Sequence, residues 1–140
     1  MVSYKLALLG LPLMLSCGAL VMPVATKADG QLTMGTTTFV PTQCSSGDRM
    51  GFYGVDLTEP SHDGLLRLAF DPIDGARIRL KLGGQDLKFD ATSCPSLVAT
   101  AEPTGWQVND IRDLRGSIAM SCRLPDGQTL EGNIHFDHFH

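Results

Sequence analysis

The sequence predicts an all-β chain with one minor helix, folded as a small antiparallel β-sandwich or barrel of about seven strands. Three observations carry this. From Ala76 to Leu82 apolar and basic residues alternate without a break, the signature of a half-buried strand. Gly83-Gly84 and Pro125-Asp126-Gly127 supply tight turns between such runs. With 15 Gly and 8 Pro in 140 residues, turns recur often enough for many short strands.

Taken in order, Leu32 to Val40 and Met50 to Leu57 are rich in β-branched and aromatic residues and read as strands. Ser61-His62-Asp63-Gly64 reads as a loop. In the next strand Leu66, Leu68 and Phe70 share a face, and Asp71-Pro72-Ile73-Asp74-Gly75 is a turn sequence, sufficient without a calcium ion. Beyond it Ile78, Leu80 and Leu82 face inward. A two-residue loop at Gly83-Gly84 then sets Leu80 opposite Leu87 and Ile78 opposite Phe89. Pro95 followed by Ser96 to Ala101, with Pro103 beyond, predicts a two-turn helix. Trp106 to Ile111 reads as a short strand, with Trp106 either an exposed recognition aromatic or, by default, a core residue. A three-residue loop at Pro125 to Gly127 aligns Cys122 with Leu130, Ile118 with Ile134, Gly116 with Phe136 and Met120 with Gly132.

The amino-terminal segment sets the compartment. Leu6 to Val24 carries no charge, follows Lys5 and precedes the small residues Ala25 to Ala28. This resembles a bacterial export signal. Cleavage after Ala28 gives a signal peptide of residues 1–28 and a single exported domain of residues 29–140. Met14-Leu15-Ser16-Cys17-Gly18 resembles a lipobox, which implies a lipoprotein signal of residues 1–16 and a lipid on Cys17 that tethers the chain to a membrane. An uncleaved anchor is the third reading, against which Gly10, Pro12, Gly18 and Pro23 stand. Each reading places the domain outside the cytosol, periplasmic or extracellular. Thiols pair there, and Cys44–Cys94 is the favoured disulfide, with Cys122 as a buried core thiol; a bridge from Cys122 to one of the other two is the next pairing.

Composition and motifs narrow the function. A net charge of −4 argues against nucleic acid as a partner. GxSxG, HExxH, P-loop and GxGxxG motifs are absent from the sequence, so an enzyme is not expected. Two surface features remain. His135, Asp137, His138 and His140 form a tail of transition-metal donors for Zn or Cu. Arg67, Arg79 and Lys88 line up across three strands on the outward face, a surface for an anionic envelope component or a protein partner, or a solvated face.

Cys44-Ser45-Ser46-Gly47-Asp48, leading into short strands with Arg-Leu alternation, resembles the small envelope β-barrel lysozyme inhibitors. The first expectation is therefore a non-enzymatic exported binding or structural β-domain. A periplasmic metal binder and, as the resemblance implies, an inhibitor of a cell-wall hydrolase are the alternatives.

Overall fold

A computed structural model describes residues 28–137. The export signal up to Lys27, the lipidation candidate Cys17, and His138 and His140 lie outside the described residues. Alternation of the kind found at 76–82 repeats along the chain and yields ten strands rather than about seven. They are β1 (Ala28–Met34), β2 (Thr37–Phe39), β3 (Gln43–Ser46), β4 (Gly54–Glu59), β5 (Gly64–Asp71), β6 (Gly75–Leu82), β7 (Gln85–Phe89), β8 (Val98–Val108), β9 (Ile111–Arg123) and β10 (Thr129–Phe136). They pair antiparallel into two five-stranded sheets, sheet A in the order β2-β1-β10-β9-β8 and sheet B in the order β3-β4-β5-β6-β7. The architecture is the sandwich, not the barrel. Among the described residues no helix is long and apolar enough to cross a membrane.

The core lies where inward positions of the two sheets meet. Leu32, Ile118, Leu130 and Ile134 come from sheet A, and Val55, Leu57, Leu66, Leu68, Ile78 and Leu80 from sheet B. Each of these is nearly or wholly withdrawn from water, and a buried Leu or Ile stabilises by about 1.5–3 kcal/mol relative to an exposed one. Both hairpin registers read from the sequence are present. Leu80 opposes Leu87 and Ile78 opposes Phe89, while Cys122 opposes Leu130 and Ile118 opposes Ile134. Gly83 and Gly84 both adopt positive φ, 57° and 77°, as a two-residue hairpin turn of this hand requires. Gly116 sits opposite Phe136, where an added Cβ would come within 1.9 Å of the Thr100 carbonyl oxygen.

Several expectations are corrected. Leu32 to Val40 is not one strand, because the chain turns at Gly35 (φ 59°) and returns as β2. The stretch from Met50 begins as a 3-10 turn, Gly47–Met50, and β4 starts only at Gly54. Ser96 to Ala101 is not a helix. Ala99 and Ala101 face the core from β8 while Val98 and Thr100 face out, and pairing with β9 supplies the backbone bonds a two-turn helix would have supplied only weakly. The segment beginning at Trp106 is the far end of that same strand. Asn109 and Asp110, both at positive φ, turn it into β9.

The disulfide is Cys94–Cys122, with the two Cα atoms 5.2 Å apart, and not Cys44–Cys94. Cys122 is inward and buried as its strand phase requires, but Cys94 is buried too. The turn after Asp90 brings it there: the Cys94 N–H donates to the Asp90 carbonyl. Ser96 Oγ then bonds both the carbonyl (2.5 Å) and the N–H (2.9 Å) of Ser121. Cys44 is half-buried on β3 of sheet B, opposite Leu57 of the neighbouring β4.

A polar network ties the two sheets together at one end. Asp48, in the 3-10 turn, accepts from the Arg112 N–H (3.0 Å), Nε (2.8 Å) and Nη2 (2.6 Å) of β9. Arg112 lies 4.9 Å over the Tyr53 ring, and the Tyr53 hydroxyl donates to the Ala101 carbonyl on β8 at 2.8 Å. The bonds from Arg112 hold the Asp48 carboxyl well below the usual aspartate range, at about 2.

Candidate functional site

Strand parity decides what each outer face presents, because side chains two apart on a strand share a face and cross-strand partners stand about 5 Å apart. On sheet B the row is Ser45, Asp56, Arg67, Arg79 and Lys88, one residue from each strand. The alignment of Arg67, Arg79 and Lys88 read from the sequence is therefore present. Sequence reading missed their counter-charges. Arg67 donates to Asp56 through Nε (2.8 Å) and Nη2 (2.7 Å), and stacks 4.4 Å over the Phe52 ring. Arg79 reaches diagonally to Asp86 through Nε (2.9 Å) and Nη2 (2.6 Å). Arg77 pairs with Asp74 across the β5–β6 turn.

These bonds raise the proton affinity of Arg67 and Arg79 above the ordinary guanidinium value. The Asp86 carboxyl is correspondingly lowered, first by its hydrogen bonds from Arg79. Like charges in register are thus tolerated because a carboxylate stands beside each guanidinium, which solvation alone does not describe. Lys88 enters no salt bridge among the described residues. It borders a cleft of about 420 Å³ together with Arg67, Arg77, Arg79, Asp90 and Ser93.

On sheet A the corresponding row is Asp29, His135, Ser117 and Thr100, from β1, β10, β9 and β8. It floors an open cleft of about 460 Å³ that Glu102, Arg115 and Asp137 complete. Arg115 Nε donates to Glu102 at 3.1 Å, and the Ser117 hydroxyl lies 3.4 Å from Thr100 Oγ1. Of the metal donors read from the sequence, His135 and Asp137 border this cleft. Asp29, which the sequence reading treated as the start of the exported domain, stands directly beside His135. Among the described residues no three metal-donor side chains converge on one point.

The long outer edge of sheet A is β8, and it is blunted. Pro103 has no N–H to offer, Tyr53 occupies the Ala101 carbonyl, and the register breaks between Pro103 and Gln107. At that break Thr104 Oγ1 donates to the buried Asp113 carboxylate at 2.6 Å, and Trp106 is left 71% exposed, outside the core.

Compared with known protein families, curated proteins and solved structures, the chain matches none.

Proposed function

We propose that the protein is an exported, non-enzymatic binding domain, tethered to the envelope through a lipid on Cys17, that engages an acidic polysaccharide across the outer face of sheet B. The observation that carries the ligand is the straight row of Arg67, Arg79 and Lys88 beside the cleft. Strands lie about 4.8 Å apart, so three cations follow one another along a line, as charges do on a linear polyanion. Each guanidinium has five N–H donors and gives two to its own carboxylate, leaving others for a ligand. Lys88, which enters no salt bridge among the described residues, leaves its ammonium donors for that purpose. The carboxylates beside the two arginines keep the attraction modest and dependent on salt.

The tether rests on Ala28. It is buried in the core and opposes Phe136, on a strand flanked by β2 and β10. Cleavage after Ala28 would remove a packed residue and start the chain inside a central strand. Cleavage before Cys17 leaves the strand whole. The buried Cys94–Cys122 bridge suits an oxidising compartment.

Titration with polygalacturonate, against uncharged dextran, tests the ligand. Binding should weaken at least tenfold in Lys88→Glu and fall as salt rises. Absence of binding, or equal binding by Lys88→Glu, refutes the polysaccharide reading. Intact-mass spectrometry of native material tests the tether: an acylated Cys17 is expected, and a chain starting at Asp29 overturns it.

A further inference from the structure

We infer that one end of the sandwich rests on the lipid bilayer to which the chain is tethered, with Trp106 at the headgroup boundary. The inference rests on the reading that Cys17 carries a lipid, and it leaves both outer sheet faces free. Among the described residues six large apolar side chains are exposed, and four of them, Met50, Ile73, Trp106 and Val108, belong to this one end. Trp106 and Val108 stand on the β8–β9 hairpin, Met50 closes the 3-10 turn Gly47–Met50, and Ile73 lies between β5 and β6. The bonds from Arg112 of β9 to Asp48 join the hairpin to the 3-10 turn. The Phe70 N–H donates to the Tyr53 carbonyl (3.0 Å), which sets the β5–β6 turn beside them.

The tether reaches the domain at that same end. Ala28, Phe136, Gly116 and Ala101 form one row across sheet A. β1 and β9 are both antiparallel to β10, so β1 enters this row from the side to which residues 111–115 of β9 extend. Those residues project about 17 Å past the row at the rise of a strand. Residues 18–27 separate Cys17 from Ala28, and extended they span up to about 35 Å, so a lipid on Cys17 lets the hairpin reach the headgroups. Strand parity puts Trp106 and Val108 on one side of the hairpin, with Ile111 opposite Val108, and Gln107 and Arg112 on the other. An indole beside aliphatic side chains is the composition that settles at a bilayer's polar boundary. Neighbouring charges pair among themselves, Asp48 with Arg112 and Asp74 with Arg77, so these four need no lipid counter-ion.

Trp106 is the one tryptophan of the chain and reports the contact directly. Protein from the native host, its acylation read by intact mass, is mixed with phosphatidylcholine vesicles, and the bound fraction is recovered by flotation. In that fraction Trp106 emission should move to the blue, lipids brominated on their acyl chains should quench it, and iodide quenching should fall at least twofold. Met50→Ser combined with Ile73→Ser changes side chains 66% and 92% exposed, so the fold, checked by circular dichroism, should hold while half of that protection is lost. Floated acylated protein whose Trp106 stays as open to iodide as in solution overturns the inference and leaves the tether standing. An unacylated chain that floats with Trp106 protected overturns the tether alone, and one that stays off the vesicles overturns both. Undiminished protection in the double variant also overturns the inference. So does protection without vesicles that rises with protein concentration, which would mean that a second copy covers this end.

Discussion

Replacing Asp48 by Asn removes the charge that joins the 3-10 turn of sheet B to β9 of sheet A while keeping the side chain's shape. The size of the effect follows from the carboxyl itself. Its pKa is lowered from 3.8 to about 2, chiefly by the side-chain bonds from Arg112, and each unit corresponds to about 1.4 kcal/mol of preference for the charged form in the folded state. Asp48 is 16% exposed but Arg112 is 42% exposed, so solvent screens part of this interaction, and Arg112 stays hydrated when its partner changes. A loss of about 1–2 kcal/mol at pH 7 is expected.

Because the folded pKa is the lower one, this stabilisation is complete above pH 3.8, declines as pH falls through the interval to about 2, and is largely gone below it. Urea unfolding of parent and variant at pH 7, 4, 3 and 2 measures the gap directly. Asp71, Asp86 and Asp90 are also held below the ordinary aspartate value, so the parent loses further stability in acid. That loss is common to both proteins, and the difference isolates Asp48. A gap below about 0.5 kcal/mol at pH 7, the range of an exposed ion pair, would refute the reasoning, as would one that does not shrink below pH 4.

Two further outcomes concern the Cys94–Cys122 bridge and Trp106. The bridge closes a loop with a sequence separation of 28, for which chain entropy gives about 3.5 kcal/mol. The double variant Cys94→Ala, Cys122→Ala should lose roughly that much in denaturant unfolding, whereas Cys44→Ser should leave the Cys94–Cys122 peptide intact in a non-reducing map; a map showing Cys44 joined to Cys94 would contradict the fold. Trp106 is the one tryptophan of the chain, so iodide should quench its fluorescence nearly as well as that of free tryptophan, and Trp106→Ala should shift stability by no more than about 0.5 kcal/mol. Strong protection from iodide would place it in the core.

The legible parts of this sequence are those where parity and a short turn act together. Within the three strands between Gly64 and Phe89 the inward positions are apolar and each turn has a defined length, so a shift of one residue would turn Leu66, Ile78 and Leu80 outward, and only one register survives. The second hairpin is fixed the same way from Gly116 to Phe136. Ser96 to Ala101 lacked this constraint. It is short, bounded by prolines and without alternation of apolar and polar residues, and its strand character comes from β9 alongside it rather than from its own composition. Cys94 was misplaced for a related reason, since a turn sequence reveals a reversal but not what it packs beneath.

The two outer faces differ in how far their logic is local. On sheet B, Asp56 and Arg67 are neighbours in a β4–β5 hairpin and Arg79 and Asp86 in a β6–β7 hairpin, so the charge ladder follows once the strand ends are known. On sheet A the decisive contact joins β1 to β10, opposite ends of the described chain, and no turn or spacing announces it. Asp29 and His135 therefore meet only when the sheet closes. Loop-closure entropy grows slowly with length, so such a contact costs little more than a short one, but it is also where terminal strands separate first.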